Sequence, residues 1–185
     1  HAHYVVNVMR LKRGSNINFF NNTGEWVSEI GFLERDRVEV KFLNKIKNNS
    51  ERSKVELAIC LVKKNPMELI FEKASELGVH KIIPIISERT EVKELNYERV
   101  QKIVIEATEQ SNQLSPPQIS KVISLKNFLV GLSKSTQLLF ADVNSKSKLK
   151  VNNLKSKNTK TILIGPEGDF SPSERELILS KANST

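Results

Sequence analysis

The chain has 185 residues, 38% of them hydrophobic, enough for one medium domain or for a small domain followed by a larger one. It shows no apolar run of membrane-spanning length and no signal pattern, so we expect a cytoplasmic protein without a membrane partner. The single cysteine, Cys60, lies in the apolar stretch Leu57–Val62 and predicts a buried thiol. The formal net charge of +8 favours a polyanionic partner such as nucleic acid, with a solvated lysine-rich surface as the alternative.

The N-terminal part of the chain has the pattern of a small β-rich module. It is strand-like from His3 onward, and its clearest β-rich stretches are Asn16–Phe20, Glu25–Ile30 and Arg37–Phe42. This pattern predicts a small barrel or sandwich. Arg10, Lys12 and Arg13 form a candidate basic rim for a nucleic acid backbone, although solvated charge is the simpler explanation for any one of them. The polar stretch Lys45–Lys54 predicts a linker.

After this linker, predicted strands and helices alternate, which indicates an α/β domain with a mostly parallel sheet. The predicted strands are Val55–Val62, Ile82–Ile86, Gln137–Ala141 and Thr161–Ile164, and the predicted helices are 66–77, Tyr97–Gln110 and Leu125–Leu132. Asn65 is the expected N-cap of the first helix, whose apolar face includes Leu77. Pro84 predicts an edge position or a bulge in the second strand. The stretch Asn144–Lys160 predicts a mobile loop with a weak helix.

The last predicted strand leads into a loop, Ile164–Phe170, that is rich in glycine. Gly165 and Gly168 predict a tight turn with little side-chain bulk. Ser171 and Glu174 then predict a capping box at the start of a helix. Loops at the carboxyl ends of parallel strands are common ligand sites, so this loop is the candidate binding site. A simple strand-to-helix connector is an equally good interpretation of the spacing alone.

Several common kinds of site are missing from the sequence. It contains no GxGxxG after a strand, no GxxxxGK[ST] and no GxSxG, so no dinucleotide fingerprint, P-loop or serine hydrolase elbow is predicted. The 3 histidines have neither a cysteine cluster nor a two-histidine spacing, so no metal site is predicted. Any chemistry is expected to come from a cofactor held by main-chain groups.

A set of motifs resembles one known family. The motifs are, in order, Lys73–Gly78, Pro84 with Ser87–Arg89, Glu106–Ser111 and Ile164–Phe170. Their order and separation resemble the RsmE-type methyltransferases of the SPOUT superfamily, which modify N3 of a uridine in 16S ribosomal RNA. The stretch Val8–Gly14 is similar to the N-terminal PUA-like β-barrel of that family. The resemblance implies a PUA-like RNA-binding domain at residues 1–50 and a SPOUT methyltransferase domain at residues 51–185.

The resemblance also implies a cofactor, partners and site residues. The expected cofactor is S-adenosylmethionine, the expected RNA partner is 16S ribosomal RNA or the small ribosomal subunit, and the expected assembly is a homodimer of trefoil-knotted domains. No metal is expected. The cofactor-binding residues that the resemblance implies are Leu139, Phe140, Ala141, Ile164, Gly165, Pro166, Glu167 and Gly168. Arg89, together with Arg10, Lys12 and Arg13, is expected to face RNA, and no catalytic base is identified.

The chain departs from the family pattern at three places. Asp169 stands where a second glycine is usual, and Gln113 stands where arginine is usual. The family's last segment, which completes the knot and closes the adenine side of the pocket, is expected beyond Thr185. Because the chain also starts at His1, we expect a fragment of a longer protein with a partial site. The alternatives are a non-catalytic RNA-binding or ribosome-assembly protein and a methyltransferase that acts on another RNA base.

Overall fold

The protein is represented by a computed structural model that describes residues 2–48, 54–145 and 158–181. The chain divides into two compact units, His1–Glu51 and Arg52–Thr185. Within the described ranges, none of the helices combines the length and the apolar character needed to cross a membrane. Half of the predicted linker and most of the predicted loop Asn144–Lys160 lie outside the described residues.

The first unit is built on a three-stranded antiparallel sheet that follows a short π-helix. The elements are the π-helix Tyr4–Val8 and the strands β1 (Asn16–Asn21), β2 (Gly24–Leu33) and β3 (Val38–Asn48). The strands pair in the order β1-β2-β3. Gly24 closes the β1-β2 turn at φ +157, where an added Cβ would lie 2.5 Å from the carbonyl oxygen of Lys47. Only glycine fits there, which explains why the hairpin turns at this residue.

Two predictions for the first unit are wrong. Tyr4–Val8 was expected to be strand-like but forms a helix that buries Val5. The predicted linker was expected to start at Lys45, yet β3 continues through Asn48, which pairs with Gly24. Pairing with a neighbouring strand supplies hydrogen bonds to polar residues as readily as to apolar ones, so the ladder overrides the local composition.

The second unit contains a six-stranded sheet in which all the pairs are parallel. Its strands are β4 (Val55–Cys60), β5 (Lys81–Ile86), β6 (Gln118–Ile119), β7 (Ile123–Ser124), β8 (Gln137–Phe140) and β9 (Lys160–Ile164). The order is β6-β5-β4-β9-β8, with β7 beside β5. The predicted α/β class with a mostly parallel sheet is therefore confirmed. The short strands β6 and β7 were not predicted, because two-residue strands leave no sequence periodicity.

Helices cover both faces of this sheet. They are α1 (Lys64–Glu76), α2 (Tyr97–Gln110), α3 (Leu125–Gly131) and α4 (Pro172–Lys181). One core cluster joins α1 and α2 to Leu57 and Ile59, and the other joins α3 and α4 to Ala58 and Cys60. Successive residues of a strand point to opposite faces, so a strand that is covered twice must be apolar throughout. This is the reason that continuous apolar runs predicted β4 and β9.

The helix ends divide into confirmed and wrong predictions. Helix α2 has the predicted bounds, and the Asn96 side chain accepts a hydrogen bond from the backbone N–H of Arg99 at 2.9 Å. Helix α1 starts at Lys64, two residues earlier than predicted, so Asn65 lies inside it and is not the N-cap. Leu77, expected on the buried face, is 82% exposed because the helix ends at Glu76 and Gly78 turns the chain away at φ +73.

The prediction for Pro84 is partly wrong. Strand β5 is not an edge strand, because β4 flanks it on one side and β6 and β7 flank it on the other. However, β6 pairs with β5 at Lys81 and Ile82, and β7 pairs with it at Ile85 and Ile86. Pro84 falls between these two registers, where a residue without a backbone N–H is tolerated.

Candidate functional site

The predicted glycine loop lies beside the end of β8. The two strands are adjacent in the sheet, with Phe140 paired to Leu163. The backbone N–H of Ala141 donates to the carbonyl oxygen of Leu163 at 3.0 Å, just before the loop begins. The structure therefore brings Leu139–Ala141 next to Ile164–Gly168 at the carboxyl edge of the parallel sheet. This edge is where parallel α/β sheets bind small ligands.

Asp169, and not a glycine, takes the unusual backbone conformation in this loop. Its φ is +59, in the left-handed region, whereas neither Gly165 nor Gly168 has a positive φ. Two hydrogen bonds hold this conformation: the N–H of Asp169 donates to the carbonyl of Pro166 at 3.0 Å, and the N–H of Phe170 donates to Asp169 Oδ1 at 2.7 Å. Aspartate tolerates the left-handed region better than most residues when its side chain bonds locally.

Gly165 is needed for a different reason, the close approach of Phe170. A Cβ added to Gly165 would lie 3.0 Å from Phe170 Cε2. The Phe170 ring is 4% exposed and meets the Phe140 ring edge-on, with centroids 5.7 Å apart. The aromatic pair supports the loop from beneath and ties it to the end of β8. The predicted tight turn is present, with Glu167 and Gly168 at its centre and the N–H of Asp169 bonded to the Pro166 carbonyl, while Gly165 has a packing role.

Part of the loop is exposed to solvent. Pro166 is buried, while Glu167 and Gly168 are exposed and Ile164 is 37% exposed. Ala141, across from the loop at the end of β8, is exposed as well. The site is therefore accessible, and its bare backbone offers hydrogen-bond donors and acceptors without competing side-chain bulk.

The predicted RNA-facing arginines and lysine lie in both units. In the second unit, Arg89 is exposed and its Nη1 donates to the carbonyl oxygen of Gly168 at 2.9 Å. Arg89 thus contacts the loop itself. In the first unit, Arg10, Lys12 and Arg13 are exposed in the turn before β1, where Arg10 has a φ of +52.

The structure adds an ion pair that the sequence analysis missed. Arg175 of α4 pairs with Asp142, the second residue after the end of β8. The hydrogen bond from Arg175, and then one from the backbone of Asn144, lower the pKa of the Asp142 carboxyl. The pair links helix α4 to the segment that follows β8. The two residues are 33 positions apart and share no local pattern, so no sequence signal could have joined them.

Two further residues have structural explanations. Cys60 is fully buried, as predicted, and burial raises the pKa of its thiol to about 11, which makes it a poor nucleophile.

Gln113 donates from Nε2 to the carbonyl oxygen of Glu76 at 3.3 Å, at the end of α1. A Cβ on Gly78 would lie 3.3 Å from the same nitrogen. Gln113 therefore packs against the end of α1, at a position where the family usually has arginine.

Comparisons with known proteins identify the family. A family model described as an RNA methyltransferase domain matches residues 48–185, and one described as an RNA methyltransferase PUA domain matches residues 2–43. The ribosomal RNA small subunit methyltransferase E of Rickettsia conorii is 35% identical over 99% of this chain and 76% of its own length. The chain belongs to this RNA methyltransferase family. The RsmE resemblance and the predicted PUA-like module are confirmed.

Two other relatives extend this result. The methyltransferase E of Bacillus subtilis is 29% identical over 95% of this chain and 74% of its own length. The crystal structure of the methyltransferase E of Neisseria gonorrhoeae, bound to S-adenosyl methionine, superposes with a TM-score of 0.84 at 26% identity. That match covers 96% of this chain and 76% of the Neisseria chain. The fold described above is therefore shared with the Neisseria enzyme.

Proposed function

We propose that this protein transfers a methyl group from S-adenosylmethionine to N3 of a uridine in 16S ribosomal RNA. The observation that carries the proposal is the accessible loop Ile164–Gly168 lying beside Ala141 in a chain of the RNA methyltransferase family. A relative of the same fold is bound to S-adenosyl methionine, and the named relatives are small-subunit ribosomal RNA methyltransferases.

The residues at the loop fit the proposed cofactor. An adenosyl and amino-acid ligand needs several convergent hydrogen-bond partners and an apolar wall. The main chain of Ile164–Gly168 and of Leu139–Ala141 would supply the polar partners, and the exposed part of Ile164 would supply apolar surface. Any side chain at Gly165 would displace Phe170, so the bare backbone is required by the packing.

The bound cofactor would supply an electrophilic methyl group on a sulfonium centre. The work left to this chain is to position the two reactants, which contributes about 7–11 kcal/mol in favourable cases. Methylation at N3 also requires loss of the N3 proton, and a nearby positive charge or N–H would stabilise the uracil anion. Glu167 is exposed on the loop, and a carboxylate is a much weaker base than the uracil N3 anion that would form. We therefore assign Glu167 to loop structure or cofactor contact.

Calorimetric titration with S-adenosylmethionine tests the first part of the proposal. Binding by the purified protein is expected, and the absence of binding would favour the alternative of a non-catalytic RNA-binding or ribosome-assembly protein.

Mass mapping of ribosomal RNA tests the second part of the proposal, the target base. A strain lacking the gene should lose one N3-methyluridine from 16S ribosomal RNA, and an unchanged uridine with loss at another base would favour the other-base alternative.

The partners and organisation follow from the same proposal. Residues 1–50 would be the PUA-like RNA-binding domain and residues 51–185 the SPOUT methyltransferase domain, in agreement with the family-model matches. Arg10, Lys12, Arg13 and Arg89 would face ribosomal RNA. A cytoplasmic homodimer is proposed as the working state, and light scattering of the purified protein tests it by molar mass.

A further inference from the structure

A turn at the end of β5 contacts the proposed cofactor loop and the helix that follows the loop. This turn, Ser87–Thr90, supplies Arg89, whose Nη1 donates to the carbonyl oxygen of Gly168 at 2.9 Å. It also supplies the backbone N–H of Glu88, which donates to Glu174 Oε1 at 2.9 Å. Glu174 is 86 residues from Glu88 in the sequence and lies in the first turn of α4, directly after the loop. The turn is therefore hydrogen-bonded to the loop at Gly168 and to the first turn of α4 at Glu174.

The Ser87–Thr90 turn is a rigid support. Ser87 and Thr90 are 4% and 3% exposed. Their hydroxyl oxygens lie 2.8 Å apart, and the backbone N–H of Ser87 donates to Thr90 Oγ1 at 2.9 Å. The N–H of Thr90 donates back to the carbonyl oxygen of Ser87 at 3.2 Å. Buried polar groups that are mutually satisfied resist rearrangement, because any displacement leaves a group without a partner.

Glu174 joins the turn to the loop through its two carboxylate oxygens. Oε1 accepts from the N–H of Glu88, and Oε2 accepts from the N–H of Ser171 at 3.1 Å. The side chain is nearly buried, at 9% exposed. The Ser171–Glu174 capping box was predicted, but a capping box requires only one of these oxygens. The second oxygen is used for a contact outside the helix.

We propose that Glu174 and Arg89 are positioning residues that hold the Gly165–Phe170 loop against the Ser87–Thr90 turn in the geometry that binds the methyl donor. The proposal rests on the proposed function and deepens it. Glu174 fixes the end of the loop through Glu88, and Arg89 fixes its middle through Gly168. An arginine has five N–H donors, so Arg89 can hold Gly168 and still contact an RNA phosphate.

Glu174→Gln separates this role from simple helix capping. An amide has one acceptor oxygen, so one of the two N–H groups loses its partner and faces an NH₂ group. The dissociation constant for S-adenosylmethionine, measured by calorimetry without RNA, should rise about tenfold. Ser171→Ala is the matched control, because it removes the acceptor for the Glu174 N–H and leaves both carboxylate contacts in place. Its dissociation constant should change less than about twofold.

Hydrogen exchange gives a readout that does not depend on the cofactor. In the unliganded protein, the amides of Glu167 to Phe170 should exchange faster in the Glu174→Gln variant than in Ser171→Ala. Equal exchange and equal cofactor affinity in the two variants would show that Glu174 acts only as a cap. That result would overturn the proposal for Glu174.

Arg89→Ala tests the other contact, again without RNA. The dissociation constant for S-adenosylmethionine should rise about threefold or more, with partial rescue by Arg89→Lys. Arg99→Ala is the matched control, since Arg99 is an exposed arginine bonded to Glu68 on α1. If Arg89 contacts RNA alone, the Arg89→Ala variant will have a changed KM for RNA and an unchanged dissociation constant for S-adenosylmethionine, which would overturn its positioning role.

If the unaltered protein bound no S-adenosylmethionine, the proposed function would itself be wrong. That result is distinct from equal binding by all variants.

Discussion

The proposed ligand-binding residues are close together in the sequence in the first unit and far apart in the second. In the first unit, Arg10, Lys12 and Arg13 lie in one exposed turn and are neighbours in the sequence. In the second unit, Arg89, Ala141 and the Ile164–Gly168 loop come from three strand ends that only the parallel sheet brings together. A local site depends on its own charges, whereas an assembled site depends on packing between distant segments. Substitutions should therefore act through packing in the second unit and through charge in the first.

The largest effect is expected for Phe170→Ala, which removes the ring between the loop and Phe140. Loss of this buried ring should cost about 3–5 kcal/mol of the free energy of unfolding. S-adenosylmethionine binding, measured at a temperature where the variant stays folded, should be lost. Phe71→Ala is the control, because Phe71 is fully buried in the other core cluster, away from the loop.

Phe71→Ala should be destabilised to a similar degree and should still bind the cofactor. If both variants lost binding equally, the loop would depend on overall stability and not on local support from Phe170.

The second-largest effect is expected for Gly165→Ala. The new Cβ would lie 3.0 Å from Phe170 Cε2, so the ring must shift, at a cost of about 1–3 kcal/mol. Chemical denaturation measures this cost, and calorimetry should show weaker cofactor binding. Gly131→Ala is the matched control, because a Cβ there has no heavy atom within 4 Å. It lies in α3 and should be neutral or stabilising by up to about 1 kcal/mol.

A smaller effect, and one of a different kind, is expected in the first unit. Replacing Arg10, Lys12 and Arg13 together with glutamine should weaken RNA binding without changing the dissociation constant for S-adenosylmethionine. Each phosphate contact that is lost should reduce the slope of log affinity against log salt by about 0.7–0.9. Arg37→Gln is the control, since Arg37 already pairs with Glu39. An unchanged salt slope in the triple variant would remove this turn from the RNA interface.

The smallest effect is the acid dependence of the Asp142–Arg175 pair. Because the pKa of Asp142 is lowered in the folded protein, its stabilising contribution is complete above the unfolded pKa of about 3.9 and is lost as the pH falls below it. Urea midpoints measured from pH 5 to pH 3 should fall less steeply for Asp142→Asn than for the unaltered protein. Equal slopes would mean that the pair does not persist in solution.

Sequence reasoning was most accurate where short-range patterns and packing agree. Helix α2 was predicted with its observed bounds, because Val100, Ile103, Val104 and Ala107 recur on one helical face. The Ser171–Glu174 capping box was also confirmed, with hydrogen bonds of 3.1 and 3.3 Å. The motifs around the loop pointed to the family that the comparisons then identified. The homodimer, the knot and the individual site residues stay predictions.

The errors occurred where tertiary contacts decide. Lys45–Asn48 belongs to the predicted linker but is part of strand β3, because β2 supplies a pairing partner. Leu77 reads as core but is exposed, because the helix ends one residue before it. Asp169 stands where the family usually has a second glycine, and its own side chain bonds the next N–H and supports the left-handed conformation.

By itself, the amino-acid sequence determined the alternation of strands and helices, the capped start of α4 and the bare loop that precedes it. These features depend on residues within a few positions of one another, which interact through backbone geometry and local side-chain hydrogen bonds. Only the tertiary structure decided that Phe170 packs on Phe140, that Arg89 reaches Gly168 and that Glu174 bridges to Glu88. These contacts join segments that are distant in the chain, and the order of strands in a parallel sheet is set by the packing of the whole domain.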